Sequence, residues 1–407
     1  MTLKSKKIKS LLTNSSILSL PGFVSIFLSI LSIPIHLKFA GVENYGDYLL
    51  FHILLSLSVI LNFGISKSVV ISSNFEKRNL TKISYDALKY SSYIIIGLII
   101  FYFLFNLLIS KAFIEYISLE LLFAGLIISI IYITLEGILQ ANKLFKVISV
   151  INFVFYSISL SFPSILLIFF NELSLFHLIF LSVVIKIITI LFLFFYFIKK
   201  KLVVKNNNHF FLKYLKRNSP WLTLNGSFIQ LYEMMDKYLI KIFMGAFSVA
   251  IYSIPQQLTG KLSIISKAFS AFLLPNLNNK KKLDEFLYSL DIFIKYIPLL
   301  LFILFPLYPI ILKFWLGNEY SLLILNLTKI FSLVAIYSSV SHILITKYEA
   351  DQKSKKNFRI EFSLLPFFLT ILCYLFINDS SLLFISLLIL IKELSLVMLR
   401  LYFLSSK

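Results

Sequence analysis

The densest chemistry in this sequence lies between Asn225 and Lys241, in an otherwise apolar stretch that carries Asn225, Gln230, Tyr232, Glu233, Asp236, Lys237 and Lys241. At about 100° per residue these side chains share roughly half of one helical circumference. Glu233 and Lys237 stand at i,i+4, as do Lys237 and Lys241. One carboxylate can therefore pair with one ammonium and leave a second ammonium for an anion, or the set can form a structural ion pair near the membrane surface. A second stripe holds Tyr252, Gln256, Thr259, Ser263, Ser266, Lys267 and Ser270 within about 100° of arc. Such a hydroxyl and amide face suits a hydrated passage or close helix packing. Lys261 points the other way and needs its own partner, and Pro255 reads as a kink. Smaller polar faces carry Ser25, Ser29, Ser32 and His36, then His52, Ser56 and Asn62. Their histidines are either neutral hydrogen-bonded rings or groups that titrate near neutrality. Lys186, Lys392 and Glu393 are further charges inside apolar runs. The sequence has no Gly-rich loop ending in Lys-Ser/Thr and no Cys/His cluster. Its single cysteine, Cys373, lies in an apolar run. No metal or cofactor is expected.

The elements that position these residues follow from composition. The chain has 407 residues, of which 59% are hydrophobic and only 14% charged. Its mean hydropathy is +0.90, whereas soluble domains carry about 25% charged residues. Lipid is the solvent that such a surface requires. Apolar runs of about 20 residues are spanning helices, and the absence of short alternating segments excludes a membrane barrel. Twelve spans are expected, near 15–37, 48–66, 85–108, 119–138, 147–170 and 175–198, then 220–244, 248–274, 290–312, 321–345, 359–377 and 381–404. The fold class is all-α, a polytopic membrane protein with two six-helix lobes. The first lobe covers 1–200, a basic cytoplasmic linker covers 201–219, and the second lobe covers 220–407.

The net charge of +20 is topological. Alternate connections and the termini hold 27 basic residues, Arg400 among them, against three on the other side, Lys38, Lys111 and Lys313. The positive-inside rule then places both termini in the cytoplasm, and the basic excess gives no reason to invoke nucleic acid. The opposite connections are about ten residues or fewer by this reading, too short to build an external catalytic domain. A polysaccharide polymerase or ligase is accordingly disfavoured, and no enzyme activity is expected.

The segment Phe39-Ala40-Gly41-Val42-Glu43-Asn44-Tyr45-Gly46-Asp47-Tyr48 aligns with Phe243-Met244-Gly245-Ala246-Phe247-Ser248-Val249-Ala250-Ile251-Tyr252 at an offset of 204 residues, half the chain. Both segments join the first and second spans of a lobe, as in a parallel repeat about an axis along the membrane normal. The run Gly41 to Leu49, followed by Asn62-Phe63-Gly64-Ile65-Ser66, resembles the start of Wzx-type polysaccharide flippases of the multidrug/oligosaccharidyl-lipid/polysaccharide (MOP) exporter superfamily. Asp236 to Ile240, Tyr252 to Pro255, Leu274-Pro275-Asn276-Leu277 and Phe314 to Tyr320 are similar to that family in order and spacing. Asn62 departs from it, since many relatives carry an acidic residue there. The resemblance implies a MATE-like fold in a bacterial inner membrane. It also implies alternating-access movement of undecaprenyl-pyrophosphate-linked oligosaccharide to the outer leaflet, for O-antigen, capsule or related polymers. The implied partners are the lipid-linked oligosaccharide, the bilayer and polysaccharide assembly proteins. The residues expected to line the passage are Lys267, Lys241, Lys237, Asp236, Glu233, Gln256, Ser263, Ser25, Ser29, His36 and His52. A cation-coupled drug antiporter of the same superfamily is the alternative. It would favour acidic groups where this chain embeds mainly lysine.

Overall fold

The computed structural model of the protein describes residues 24–25, 27–73, 80–108, 119–170, 172–204, 210–274, 304–351, 353–378 and 381–405. Of a few helical residues, Glu233 among them, the side chain lies outside that description. Parts of the first and ninth expected spans, 15–23 and 290–303, also lie outside it. Among the described residues every regular element is helical, and nine helices are long and apolar enough to cross a bilayer. One of the nine, Pro220–Ser263, bends at Gly245 and is two spans in sequence. Shorter apolar helices cover Phe27–Ala40 and Phe305–Leu316. The protein is an all-α polytopic membrane protein.

In chain order the elements used below are α1 (Phe27–Ala40), α2 (Val42–Leu55), α3 (Leu57–Leu61), α4 (Ile65–Ser73), α5 (Leu80–Leu108), α6 (Leu119–Ala141) and α7 (Phe145–Asn152). A π-helical segment, Phe153–Ile158, leads into α8 (Ser159–Leu166), α9 (Leu175–Lys200), α10 (Phe210–Gly260) and α11 (Ile264–Leu273). Then come α12 (Tyr308–Leu316), α13 (Leu322–Ala350), α14 (Ser354–Ile377) and α15 (Leu382–Ser405). Spatial proximity groups the chain into two compact units, Ile35–Met234 and, separately, Met1–Pro34 with Met235–Lys407. The first unit is centred on α6, which packs on α2, α3, α4, α5 and α9. In the second unit α13 packs on α11, α14 and α15. Large apolar side chains such as Phe169, Phe195, Ile198, Phe314 and Ile377 stand on the outside, where hydrocarbon rather than water is their solvent.

Several helices run further than the apolar pattern suggested, chiefly toward the basic connections. The 2–3 connection contains α4, whose serines and valines are buried against α6. Residues 210–219 of the expected linker are the first turns of α10, α13 continues to Ala350, and α14 starts at Ser354. Arg400, read from sequence as a residue of the cytoplasmic tail, is instead fully buried between helices. Helix α10 also passes straight through Pro255. The interruption falls at Lys261–Ser263, a 3₁₀ turn after Gly260.

Proline leaves a recurring signature. It has no N–H, so the carbonyl four residues earlier loses its intrahelical donor, and in lipid that group must be satisfied from elsewhere. Pro34 frees the carbonyl of Ile30, and the indole Nε1 of Trp315 donates to it at 2.7 Å. Pro163 frees Ser159 in the same way. The Tyr48 phenol, fully buried, reaches the Ser159 carbonyl at 3.4 Å and that of Leu160 at 2.9 Å.

Candidate functional site

In the unit that contains Met235–Lys407, the site grows from the bend at Gly245. Asp236 precedes it on α10 and Tyr252 follows it, and the phenol of Tyr252 donates to Asp236 Oδ2 at 2.8 Å. Asp236 Oδ1 accepts from the backbone N–H of Lys237 at 2.8 Å and lies 3.6 Å from its ammonium. Phe331 of α13 closes the cluster edge-on to Tyr252, with ring centroids 5.0 Å apart. Asp236, Lys237 and Tyr252 are all buried, as a charge at membrane depth must be unless water reaches it. The side chain of Glu233, at i,i+4 from Lys237, lies outside the description, and among the described side chains the adjacent Asp236 lies beside the Lys237 ammonium. Lys241, one turn further on, is half-buried.

The stripe beyond Tyr252 is present as helix and 3₁₀ turn, with three of its hydroxyls committed to backbone and that of Ser270 buried without a hydrogen-bond partner among the described residues. Thr259 donates to Pro255 O at 2.9 Å, Ser263 to Gly260 O at 2.7 Å and Ser266 to Ser263 O at 2.7 Å. Their remaining lone pairs can still accept hydrogen bonds. Gln256 is half-buried and Lys267 exposed. Lys261 finds the separate partner its position required, since its Nζ donates to Ser25 Oγ at 3.2 Å. Ser29 donates to the Ser25 carbonyl at 2.9 Å. Ser25, Ser29 and Lys261 thus form a second polar contact in this unit.

The unit Ile35–Met234 has its own polar interior. His36 is fully buried, with Nδ1 2.8 Å from Ser164 Oγ. Its ring sits among Tyr45 and Tyr48 at centroid distances of 5.0 and 5.2 Å. His52 packs edge-on against Tyr48 at 4.7 Å and Phe51 at 5.5 Å. Asn62 plays a helix-joining part: its Oδ1 accepts from Ser66 N at 3.0 Å, and its Nδ2 donates to Thr134 at 2.9 Å.

Two charged clusters escaped sequence reading. Glu136 accepts from Asn152 Nδ2 at 2.8 Å, and Asn152 Oδ1 accepts in turn from the Tyr132 phenol. Glu136 sits at the end of an apolar run, where composition gives no warning that its turn is packed. In the other unit Arg400 donates through Nε to Asn357 at 2.9 Å, through Nη1 to Ser341 and through Nη2 to Glu361. The Tyr348 phenol donates to the Arg400 carbonyl at 3.0 Å. Three helices, α13, α14 and α15, meet on that one guanidinium, whose planar fork suits several acceptors at once.

These helices and their order have counterparts among known proteins. A crystal structure of MATE in the straight conformation superposes with a TM-score of 0.74 at 13% identity, over 98% of this chain and 96% of that one. The chain has the MATE fold. An outward-facing multidrug resistance MATE family transporter of the MOP superfamily gives a TM-score of 0.72 at 14% identity, over 96% and 94% of the two chains. A MOP superfamily transporter from Pyrococcus furiosus, whose structure is described by the reverse polarity of its binding pocket, gives 0.71 at 14%, again over 96% and 94%. No family model matches the sequence. In sequence the chain is 27% identical over 157 residues to a Shigella flexneri protein named "Putative O-antigen transporter", a match spanning 36% of this chain and 37% of that protein. The MATE fold and this sequence match agree with the resemblance carried by Gly41 to Leu49 and the later motifs.

Proposed function

We propose that the protein carries an anionic, lipid-linked oligosaccharide from the cytoplasmic to the outer leaflet of a bacterial inner membrane, with both termini in the cytoplasm. The observation that carries this reading is the set of lysines placed in the membrane helices, of which Lys237 and Lys392 pair with the carboxylates of Asp236 and Glu393. Lys186, Lys237, Lys241, Lys261 and Lys392 lie within membrane helices, where each ammonium is costly without a partner or water. An undecaprenyl pyrophosphate headgroup presents the opposite charge, and lysine binds phosphate as a compact point charge. The partial likeness to an O-antigen transporter supports the same substrate class. In this reading the lobes 1–200 and 220–407 alternate access to a passage lined by Lys241, Lys267, Gln256, Ser263, Asp236, Lys237, Glu233, Ser25, Ser29, His36 and His52. Polysaccharide assembly proteins take up the product.

The test is movement of undecaprenyl-pyrophosphate-linked saccharide across proteoliposomes containing the purified protein. Transport that falls in Lys241→Ala and Lys267→Ala while both variants remain folded supports the reading. A second reading, cation-coupled drug export, draws on the likeness of the fold to a multidrug transporter. Robust cation-driven drug exchange, with no candidate saccharide lipid moved, overturns the first reading in favour of the second.

A further inference from the structure

The most exceptional charge in the unit Ile35–Met234 is Lys186. Its side chain is only 4% exposed, on α9 between α2, α6, the π-helical segment and α8. Among the described residues it has no hydrogen bond and no ion pair. Its one structural neighbour of note is Phe155, whose ring centroid lies 5.2 Å from Nζ. The carboxylates on the helices around it are Glu43, Asp47, Glu120 and Glu136, and Glu136 is engaged by Asn152. An ammonium in hydrocarbon with only an aromatic face beside it lacks the counter-charge that its burial calls for.

A second group nearby has the same deficit. His52 Nε2 is buried and has no hydrogen-bond partner among the described residues, and its helix α2 packs on α9, with Phe51 beside His52 and Val183 one turn before Lys186 in one buried cluster. Their depths agree. Helices α2 and α9 both start on the outer side of the proposed topology. At 1.5 Å per residue, His52 lies about 15 Å along α2 from Val42, and Lys186 about 16 Å along α9 from Leu175. Both therefore sit near the middle of their apolar spans, Val42–Leu61 and Leu175–Lys200. The walls around them are aromatic: Tyr48 and Phe51 against His52, and Phe155 beside Lys186 with Tyr132 stacked on it at 3.6 Å. Phe155 belongs to the π-helical turn Phe153–Ile158, a local widening of the helix that recurs at functional sites.

We propose that Lys186 and His52 form a mid-membrane binding site for an anionic oxygen group, a phosphate or a carboxylate. The ammonium supplies the charge and the imidazole Nε2–H supplies a second donor, with the aromatic walls excluding water. Taking that anion to be the pyrophosphate or an acidic sugar of the transported lipid rests on the proposed function. The site itself rests only on the geometry within this unit. It gives a migrating headgroup a stop at the depth where neither leaflet's water can solvate it.

The test measures binding by calorimetry with the full-length protein in nanodiscs. The probes are undecaprenyl pyrophosphate, inorganic pyrophosphate, glucuronate and, as the uncharged control, undecaprenol. Lys186→Met is expected to weaken the anion that binds by at least ~30-fold, as loss of one partner of a buried charged contact does, and Lys186→Arg to retain most of the affinity. His52→Phe, which keeps a ring and removes the Nε2–H donor, should weaken it by a smaller factor. Binding of undecaprenyl pyrophosphate but not inorganic pyrophosphate identifies the lipid headgroup, and binding of glucuronate identifies a sugar acid. Should Lys186→Met not fold, His52→Phe decides, because unchanged affinity there, with the Nε2–H donor gone, overturns the site. Equal affinity in wild type and Lys186→Met, or no binding of any anion by wild type, also overturns it. The two readings fail differently. Anion binding lost in Lys186→Met without saccharide transport by wild type sinks the flippase reading alone. Normal saccharide transport by Lys186→Met, with its anion binding lost, leaves the site standing and sinks only the identification of its anion with the transported lipid.

Discussion

Gly41 and Gly245, 204 residues apart in sequence, share one backbone conformation: φ 87° and ψ 163° at the first, φ 81° and ψ 172° at the second. This region of φ/ψ space is almost confined to glycine and costs any other residue about 1–3 kcal/mol. Each glycine lets the chain leave one span and start the next without a longer loop. Seven residues after each stands a fully buried tyrosine, Tyr48 and Tyr252. The repeat seen as three matching residue types in ten thus has a physical core, a glycine corner followed by an anchored tyrosine.

Substituting alanine at either corner tests that reading. Nothing lies within 4 Å of a Cβ added at Gly41 or Gly245, so any loss comes from backbone strain rather than collision. Gly41→Ala and Gly245→Ala should each cost about 1–3 kcal/mol, read as a lowered thermal midpoint. Gly97→Ala, equally unobstructed and inside a regular helix, should be neutral or mildly stabilising. Equal midpoints for Gly41→Ala and Gly97→Ala would remove the argument.

The Trp315 contact predicts a coupling. Trp315→Phe deprives the Ile30 carbonyl of its donor, and a backbone carbonyl left unsatisfied against hydrocarbon costs several kcal/mol. Pro34→Ala restores an N–H that can reach that carbonyl within the helix. The Trp315→Phe penalty should therefore shrink in the Pro34→Ala background. Identical penalties in the two backgrounds, measured as shifts in thermal midpoint, would mean that the indole bond is incidental.

Tyr252→Phe isolates the contact at the second corner. The change removes one hydroxyl from a buried carboxylate, Asp236, and keeps the ring against Phe331. Hydrogen bonds to charged groups contribute about 1.5–3 kcal/mol, so a clear drop in stability is expected. Asp236→Asn, which still offers an oxygen acceptor to the phenol, should make the later loss of the hydroxyl less costly. A full-size effect of Tyr252→Phe in that background would show that the phenol acts on something other than Asp236.

Much of this architecture was legible because lipid imposes a coarse rule: each span must be an unbroken apolar helix. Hydropathy measures apolar length, however, and helices continue wherever packing or solvation supports them. The turns 210–219 of α10 and the whole of α4 carry too many polar residues to register as span, yet they are helical. Pro255 drew attention as a helix breaker, while the true interruption follows Gly260, where three residues take 3₁₀ form. Polar faces were visible as stripes, but their partners were not. Asp236 joins Tyr252 across a bend, and Lys261 joins Ser25 from a distant segment. Arg400 shows the limit most clearly. Near the end of a basic, cytoplasm-facing sequence it counts as a topological charge, and only packing reveals it as the centre of three helices.

That burial makes Arg400 the most severe test of the second unit. Arg400→Met leaves Glu361 buried without the guanidinium that faces it, and breaking a buried pair from one side costs about 3–5 kcal/mol. Arg400→Lys should recover little, because one ammonium cannot reproduce the fork that reaches Asn357, Ser341 and Glu361 together. Arg400→Met combined with Glu361→Leu removes both charges and should regain most of the lost stability, since an apolar replacement spares the desolvation of two ions. Yield of monodisperse protein and thermal midpoint check the series. If the double variant is no better than Arg400→Met, the guanidinium serves α13 and α14 chiefly through Ser341 and Asn357 rather than by neutralising the carboxylate. If Arg400→Met alone is as stable as wild type, water rather than protein solvates this end of the bundle.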